Sequence, residues 1–555
     1  MAWGVLDDKR TPFPYGTIIL DRVDLVEQQQ QNPGSKGTSK EAISTVLHPQ
    51  PSTSPNDPLN WSLTVKASLL MTLIVTVTAI GGIHGMLGTA GRILAEEYDV
   101  SYANLVRTLQ APSIAAGAIA LFFWSAVGAI WGKRLPIMVA VIVIWITMFI
   151  GYFANSLAFY RALSVASSVF GSAPELLIAP VITDLSFVHQ RGKIMAIVSV
   201  VTLIGMDSTT VISGNIIENL GVKYLYIVSF GVMGVLLFMN LFLLRETTFH
   251  RGRSETNLIR SCDRVYDSAV KNPLVWGKVG SDFYTPKEHL HGQVPESPAA
   301  EPKRPWTWYL RVYYGRASSG SFIKTFFQPF SLLIFPSVLF SAMMNGVILT
   351  CSLISGVISA QVLLYPPYDI EPNKLAYLSL PASGAAFIAS VVSGYLSDWM
   401  IRWMSKRNGG VYEPEFRLLM LIPAVILSTS GFLILGPMYK RYAPVWQIVL
   451  ANLLFSVGMP FGTSACTTYI LDTMQKRSSE AFVAATLFKS LHGFLATYYV
   501  PGWFANNGAN ATYRSLAILN MAFAALAIPV YCLGKRWRGV VSRNTFLRKH
   551  FDQDL

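Results

Sequence analysis

Apolar segments of about 20 residues recur along this chain, and that recurrence constrains its fold more than any single motif. A helix rising 1.5 Å per residue needs about 20 residues to cross the roughly 30 Å hydrocarbon core of a bilayer. About twelve segments meet that length, at 65–87, 105–130, 136–153, 158–181, 194–216, 225–244, 330–353, 375–395, 418–438, 445–470, 481–503 and 516–533. Inside hydrocarbon every backbone polar group must be paired within the segment or in a closed barrel, so runs of this length fold as helices. Only 14% of the 555 residues are charged, too few to cover a soluble protein of this size, where roughly 25% is usual. The chain therefore reads as an all-α membrane protein.

The polar stretches between these runs set the organisation. Residues 1–60, with Gln28 to Gln31 and a Ser/Lys/Thr-rich stretch, cannot bury a core and are expected to form a disordered tail. No charged segment precedes a short apolar one at the start, so the first true span is expected to act as the insertion signal. Residues 61–245 read as a first six-helix half, 246–325 as a middle loop, 326–534 as a second six-helix half and 535–555 as a basic tail. Two six-helix bundles joined by a long loop are thus expected.

The net charge of +13 does not point to nucleic acid, because the Lys and Arg residues sit in short clusters beside the apolar runs. These clusters include Lys133 with Arg134, Arg191 with Lys193, Arg402 with Lys406 and Arg407, and Lys535 with Arg536 and Arg538. With alternating spans they fall on one side, which the positive-inside rule makes cytoplasmic together with both termini and the middle loop. The opposite loops carry Glu96, Glu97 and Asp99, and the sequon beginning at Asn510 falls there as a glycosylation candidate. Cys262, Cys351, Cys466 and Cys532 show no C-x-x-C spacing, so neither a disulfide framework nor a cysteine zinc site is expected.

The sequence holds no phosphate-binding loop, no H-E-x-x-H and no G-x-S-x-G, so no cofactor, no metal, no ATP engine and no catalytic residue is expected. The informative residues are instead the charges within the spans, each costing at least a few kcal/mol. Glu175, between Pro174 and Pro180, lies near the midplane and is a candidate proton or cation site or a structural carboxylate paired with a neighbouring helix. Asp207, at similar depth beside Ser208, Thr209 and Thr210, is a candidate substrate- or proton-binding residue or a hydrogen-bonded packing residue. Lys489, with His492 on its helical face, is a candidate either for neutralising one of those acids or for recognising a substrate. His84 is a candidate proton carrier or a hydrogen-bonded packing residue. Asp184, Asp398 and Asp472 each end a span beside basic residues. With Lys133, Arg134, Arg191 and Arg402 they are candidates for ion pairs across the domain seam that break as the protein changes shape.

A further set of residues comprises Asp57-Pro58-Leu59-Asn60-Trp61-Ser62, Arg161, Pro174-Glu175, Asp184, the stretch from Phe187 to Lys193, Glu246-Thr247-Thr248-Phe249, Pro366-Pro367-Tyr368, Gly394 through Trp399, and Arg407 through Leu418. Together they resemble the major facilitator superfamily, in particular its fungal twelve-span drug:proton-antiporter-like branch, which includes polyamine and organic-cation carriers. The resemblance implies the major facilitator fold and a role for Arg161 in proton relay. Ser125 and Ala129 depart from the Gly and Asp of the loop between spans two and three, and Thr209 and Thr210 replace a Gly-Pro pair in span five. The expectation is a monomeric secondary transporter that exports a drug-like molecule or secondary metabolite across the plasma membrane by alternating access, with protons as coupling ion. The alternatives are proton-coupled uptake of a polyamine or other organic cation, and a non-transporting membrane sensor.

Overall fold

The structure is a computed structural model that describes residues 4–8, 14, 16–19, 52, 54–186, 188–249, 304–318, 320–408, 411–474 and 477–544. Most of the expected middle loop, Cys262 with it, and the end of the basic tail lie outside the described residues. The first bundle runs α1 (Leu63–Thr89), the short α2 (Gly91–Glu97), α3 (Tyr102–Trp131), α4 (Arg134–Gly151), α5 (Leu157–Leu185), α6 (Val188–Leu220) and α7 (Val222–Leu243). The second runs α8 (Phe322–Leu332), α9 (Pro336–Leu363), α10 (Pro372–Arg407), α11 (Leu421–Lys440), α12 (Val445–Thr473), α13 (Ser478–Ala525) and α14 (Ala527–Arg543). Local chemistry sets the boundaries. Ser101 and Ser156 accept hydrogen bonds from the amides of Asn104 and Phe159 at the starts of α3 and α5. Gly132 and Gly221, with φ of 89° and 95°, turn the chain between antiparallel helices in a conformation other residues avoid.

Two expected span boundaries shift. Sequence places the seventh span at 330–353, but Phe330 belongs to the amphipathic α8, and the spanning helix starts at Pro336 and continues to Leu363. Proline at the first helical position starts a new helix, because its missing N–H has no partner to lose there. Composition places a polar loop between the last two spans, at about 504–515. Instead α13 runs through it, and the single residue Gly508 (φ 75°, ψ 173°) makes the turn. Thr512 Oγ1 donates to the Gly508 carbonyl at 2.9 Å, securing the helix beyond the turn.

Without a hydrophobic difference between lipid and protein, small residues and polar side chains bring membrane helices together. A Cβ on Gly458 of α12 would lie 2.8 Å from the Ala424 carbonyl of α11, so the two backbones touch there. Asn240 of α7 donates to Thr76 of α1 at 2.7 Å, and Asn520 of α13 donates to Ser428 of α11 at 2.8 Å, one such clasp in each bundle. Across the seam, α3 packs on α13 and α6 on α10.

Part of the polar N-terminal stretch, expected to lack structure throughout, is docked on the second bundle. A two-residue strand β1 (Ile18–Ile19) pairs antiparallel with β2 (Val411–Tyr412). Val5 is fully buried, the Leu6 amide donates to the Cys532 carbonyl at 3.0 Å, and Asp7 and Asp8 pair with Lys535 and Arg543. An apolar anchor and two ion pairs suffice to hold a segment whose composition alone reads as tail.

Candidate functional site between the bundles

At 1.5 Å per residue, Glu175 lies about 15 Å from the C-terminal end of α5 and Lys489 about 17 Å from the N-terminal end of α13, so both sit near mid-membrane. The structure brings them together: Lys489 Nζ donates to Glu175 Oε1 at 3.0 Å. One partner comes from each bundle. The side chains of Glu175 and Lys489 remain 48% and 30% exposed, so packed protein does not enclose the pair. Pro174, buried behind Glu175, removes a backbone N–H and helps aim this stretch of α5.

His84 of α1 completes the neighbourhood. Its Nε2 lies 3.1 Å from the Ser167 carbonyl of α5, and its ring stands where a Cβ on Gly171 would be, 2.8 Å away. Glycine at 171, one turn before Glu175, thus admits the imidazole to within electrostatic reach of the carboxylate. His492, one turn beyond Lys489, has Nδ1 2.7 Å from the Phe488 carbonyl, and Gly346 of α9 leaves room for the ring.

Other candidates do not join this group. Arg161 is exposed, about 21 Å along α5 from Glu175, with no hydrogen bond or ion pair among the described residues. Asp207 and Arg191 lie on α6, but their side chains fall outside the described residues. The hydroxyls of Ser208, Thr209 and Thr210 donate back to carbonyls of their own helix. Thr209 also fills the space beside Gly82 of α1, so close helix packing survives without the Gly-Pro pair. Asn510 is half-buried with its backbone against Gly436, and Thr512 beside it is buried.

In this state none of the described gating candidates forms an ion pair across the seam. Lys133 pairs with Asp184 within the first bundle and also donates to the Pro180 carbonyl at 2.9 Å. Asp472 pairs with Arg417 at 2.5 Å and accepts from Tyr412, all within the second. Asp398 and Arg402 are exposed and make no ion pair among the described residues. Arg134 is buried and donates to the Leu241 carbonyl at 2.8 Å, while its amide and that of Lys133 donate to the carboxylate of Glu246 at 3.0 and 3.1 Å. These converging amides give Glu246 a cradle of positive dipoles at the start of α4. Although Glu246 stands in one of the family-like runs, its spacing gives no hint of a partner more than a hundred residues away.

Further polar contacts between the bundles lie at the face opposite the basic loops, while Phe122 of α3 stacks on Phe330 of α8 toward the basic-loop side. Arg92 of α2 donates to the Leu364 carbonyl at 2.5 Å and pairs with Asp369 at 2.8 Å, beside the ring of Tyr365. Tyr102 packs edge-on against Tyr365, and Asn215 of α6 donates to Tyr377 of α10 at 3.0 Å. No motif marks Arg92, because a lone arginine beside Glu96 on a short helix reads as an ordinary surface pair. Burial of the loop tyrosines accompanies this seal and raises the Tyr365 phenol above its usual range.

Comparisons with known proteins agree with this architecture. Residues 69–497 match the family model described as Major Facilitator Superfamily. Protein HOL1 of Saccharomyces cerevisiae is 26% identical over 549 residues, covering 90% of this chain and 91% of that protein. The probable efflux pump mfs2 of Aspergillus flavus is 25% identical over 171 residues, covering 31% of this chain and 38% of its own. Among solved structures, the proton:xylose symporter XylE of E. coli, bound to 6-bromo-6-deoxy-D-glucose, superposes with a TM-score of 0.54 at 12% identity, over 84% of this chain and 96% of that one. With two helical bundles, a charge pair between them and a family match across both, this chain belongs to the major facilitator superfamily, with fungal transporters among its relatives.

Proposed function

We propose that this chain is a secondary transporter exporting a small organic compound, drug-like or a secondary metabolite, by rocking its bundles about the site at Glu175. The observation that carries the proposal is the Glu175–Lys489 pair. It joins the two bundles near mid-membrane, yet both side chains keep access to solvent space. A purely structural carboxylate at this depth would be enclosed by partners, since a charge in hydrocarbon is costly. The polar seal at the face opposite the basic loops fits one end state of alternating access, with the site open toward the cytoplasmic side. The efflux named for the Aspergillus flavus relative supports the outward direction. In this reading the protein works as a monomer in the plasma membrane, with basic loops in the cytoplasm and protons as coupling ion.

A second reading, proton-coupled uptake of a polyamine or other organic cation, draws on the chemistry of the same site. Glu175 offers an acceptor-only carboxylate to the cavity, with His84 within electrostatic reach. The two readings separate in cells producing the protein and offered a panel of cations, drugs and metabolites. Lower accumulation than in control cells supports export, and higher accumulation supports uptake. Unchanged accumulation of every compound counts against both and leaves the non-transporting sensor.

A further inference from the structure

We propose that Lys489 is a tethered cation that occupies the charge position at Glu175 whenever the site is empty, and so sets which cations bind and whether the empty carrier can change orientation. This role rests on reading Glu175 as the residue that receives a cationic group of the substrate.

The geometry of the pair is that of an occupant rather than a permanent partner. Among the described residues, one carboxylate oxygen, Oε1, is engaged and the Lys489 ammonium uses one of its three donors. The carboxylate is the more exposed of the two groups, so an incoming cation meets Glu175 before Lys489. The flexible four-carbon stem of lysine lets the ammonium retreat without moving α13. Buried pairs elsewhere in this protein look different: Arg538 engages Glu413 and Glu415 together, with both carboxylates fully enclosed. That cluster is built to stay closed, whereas the one hydrogen bond between Lys489 and Glu175 is built to exchange.

Transport is affected in two ways. A substrate cation must outcompete a primary ammonium held at high local concentration, so binding favours compounds that add apolar or further cationic contacts to their ammonium group. The empty site is neutral as long as Lys489 fills it, so the bundles can rock without exposing an uncompensated carboxylate to hydrocarbon. Removing the ammonium leaves Glu175 to be neutralised by substrate or by a proton, and at a pH where the carboxylate stays ionised movement then requires a loaded site in both directions. The carrier becomes an exchanger.

The test uses the full-length protein in liposomes, with radiolabelled spermidine and tetraethylammonium as probes and two readouts, net flux into empty vesicles and exchange against preloaded unlabelled probe. Lys489→Met should lower the ratio of net flux to exchange at least tenfold and lower the half-saturating probe concentration, and Lys489→Arg should restore the ratio. Lys489→Gln serves the same purpose if the methionine variant does not reach the folded state. An unchanged ratio, or equal loss of both fluxes in a folded variant, overturns the inference. Absence of flux of either probe by the unmodified protein instead sinks the reading of Glu175 as a cation acceptor, and the inference with it.

Discussion

Truncating Arg92 should unseal the face opposite the basic loops. Its guanidinium makes a charge-assisted hydrogen bond to the Leu364 carbonyl and an ion pair with Asp369. Hydrogen bonds to charged groups contribute about 1.5–3 kcal/mol, while an ion pair with a carboxylate as exposed as Asp369 contributes only about 0.2–1 kcal/mol. Allowing for solvent access, Arg92→Ala should cost the sealed state about 2 kcal/mol, a shift of roughly 30-fold in the equilibrium between sealed and unsealed forms. Asp369→Asn should shift it only about threefold, because the carbonyl contact survives. The assay is pulsed electron resonance between spin labels at Glu97→Cys and Lys374→Cys, both exposed at this face, with the native thiols replaced. Arg92→Ala should populate longer label distances, and the double variant Arg92→Ala with Asp369→Asn should add little to it, as partners in one contact are not additive. A distance distribution that Arg92→Ala leaves unchanged would refute the latch.

Asp398 is exposed and makes no ion pair among the described residues in this state. If it finds its partner only in the alternate state, Asp398→Asn should reduce transport while leaving the melting temperature unchanged; equal losses of both would mark it as structural. Gly458→Leu should destabilise the protein by about 1–3 kcal/mol, because its side chain meets the α11 backbone, as read by thermal denaturation in detergent. The N-terminal segment should release on acidification: Lys535 beside Asp7 holds that carboxyl below its ordinary value, so its contribution is complete above about pH 4 and lost as pH falls through the depressed value. Asp7→Asn should remove that step from a pH series of proteolysis at residues 4–19.

The fold is legible in the sequence because the bilayer simplifies the problem: long apolar runs fold as helices, and their number and spacing give the bundles. Where composition misleads, local conformation outweighs it. Residues 504–515 look like a loop, yet one glycine turns the chain and helix resumes at once. Phe330 looks like the start of a span, but Pro336 sets it. Glu175 and Lys489 stand out individually because charge is rare in apolar runs, and their pairing is among the alternatives that the sequence leaves open. The choice between Asp207 and Glu175 as partner depends on which helix faces cross the seam, and that is a tertiary property. Arg92 and Glu246 are harder still, since polar residues at helix ends are common and their partners lie far along the chain.

Whether Glu175 carries the charge between the bundles is decided by flux through purified protein in liposomes under an imposed pH gradient, with the unmodified chain set against Glu175→Gln. The amide keeps the size of the side chain but accepts no proton and carries no charge. Transport that tracks the gradient in the unmodified protein and vanishes in a Glu175→Gln variant of normal folding is the predicted result. Equal, equally pH-dependent transport in both would contradict the assignment.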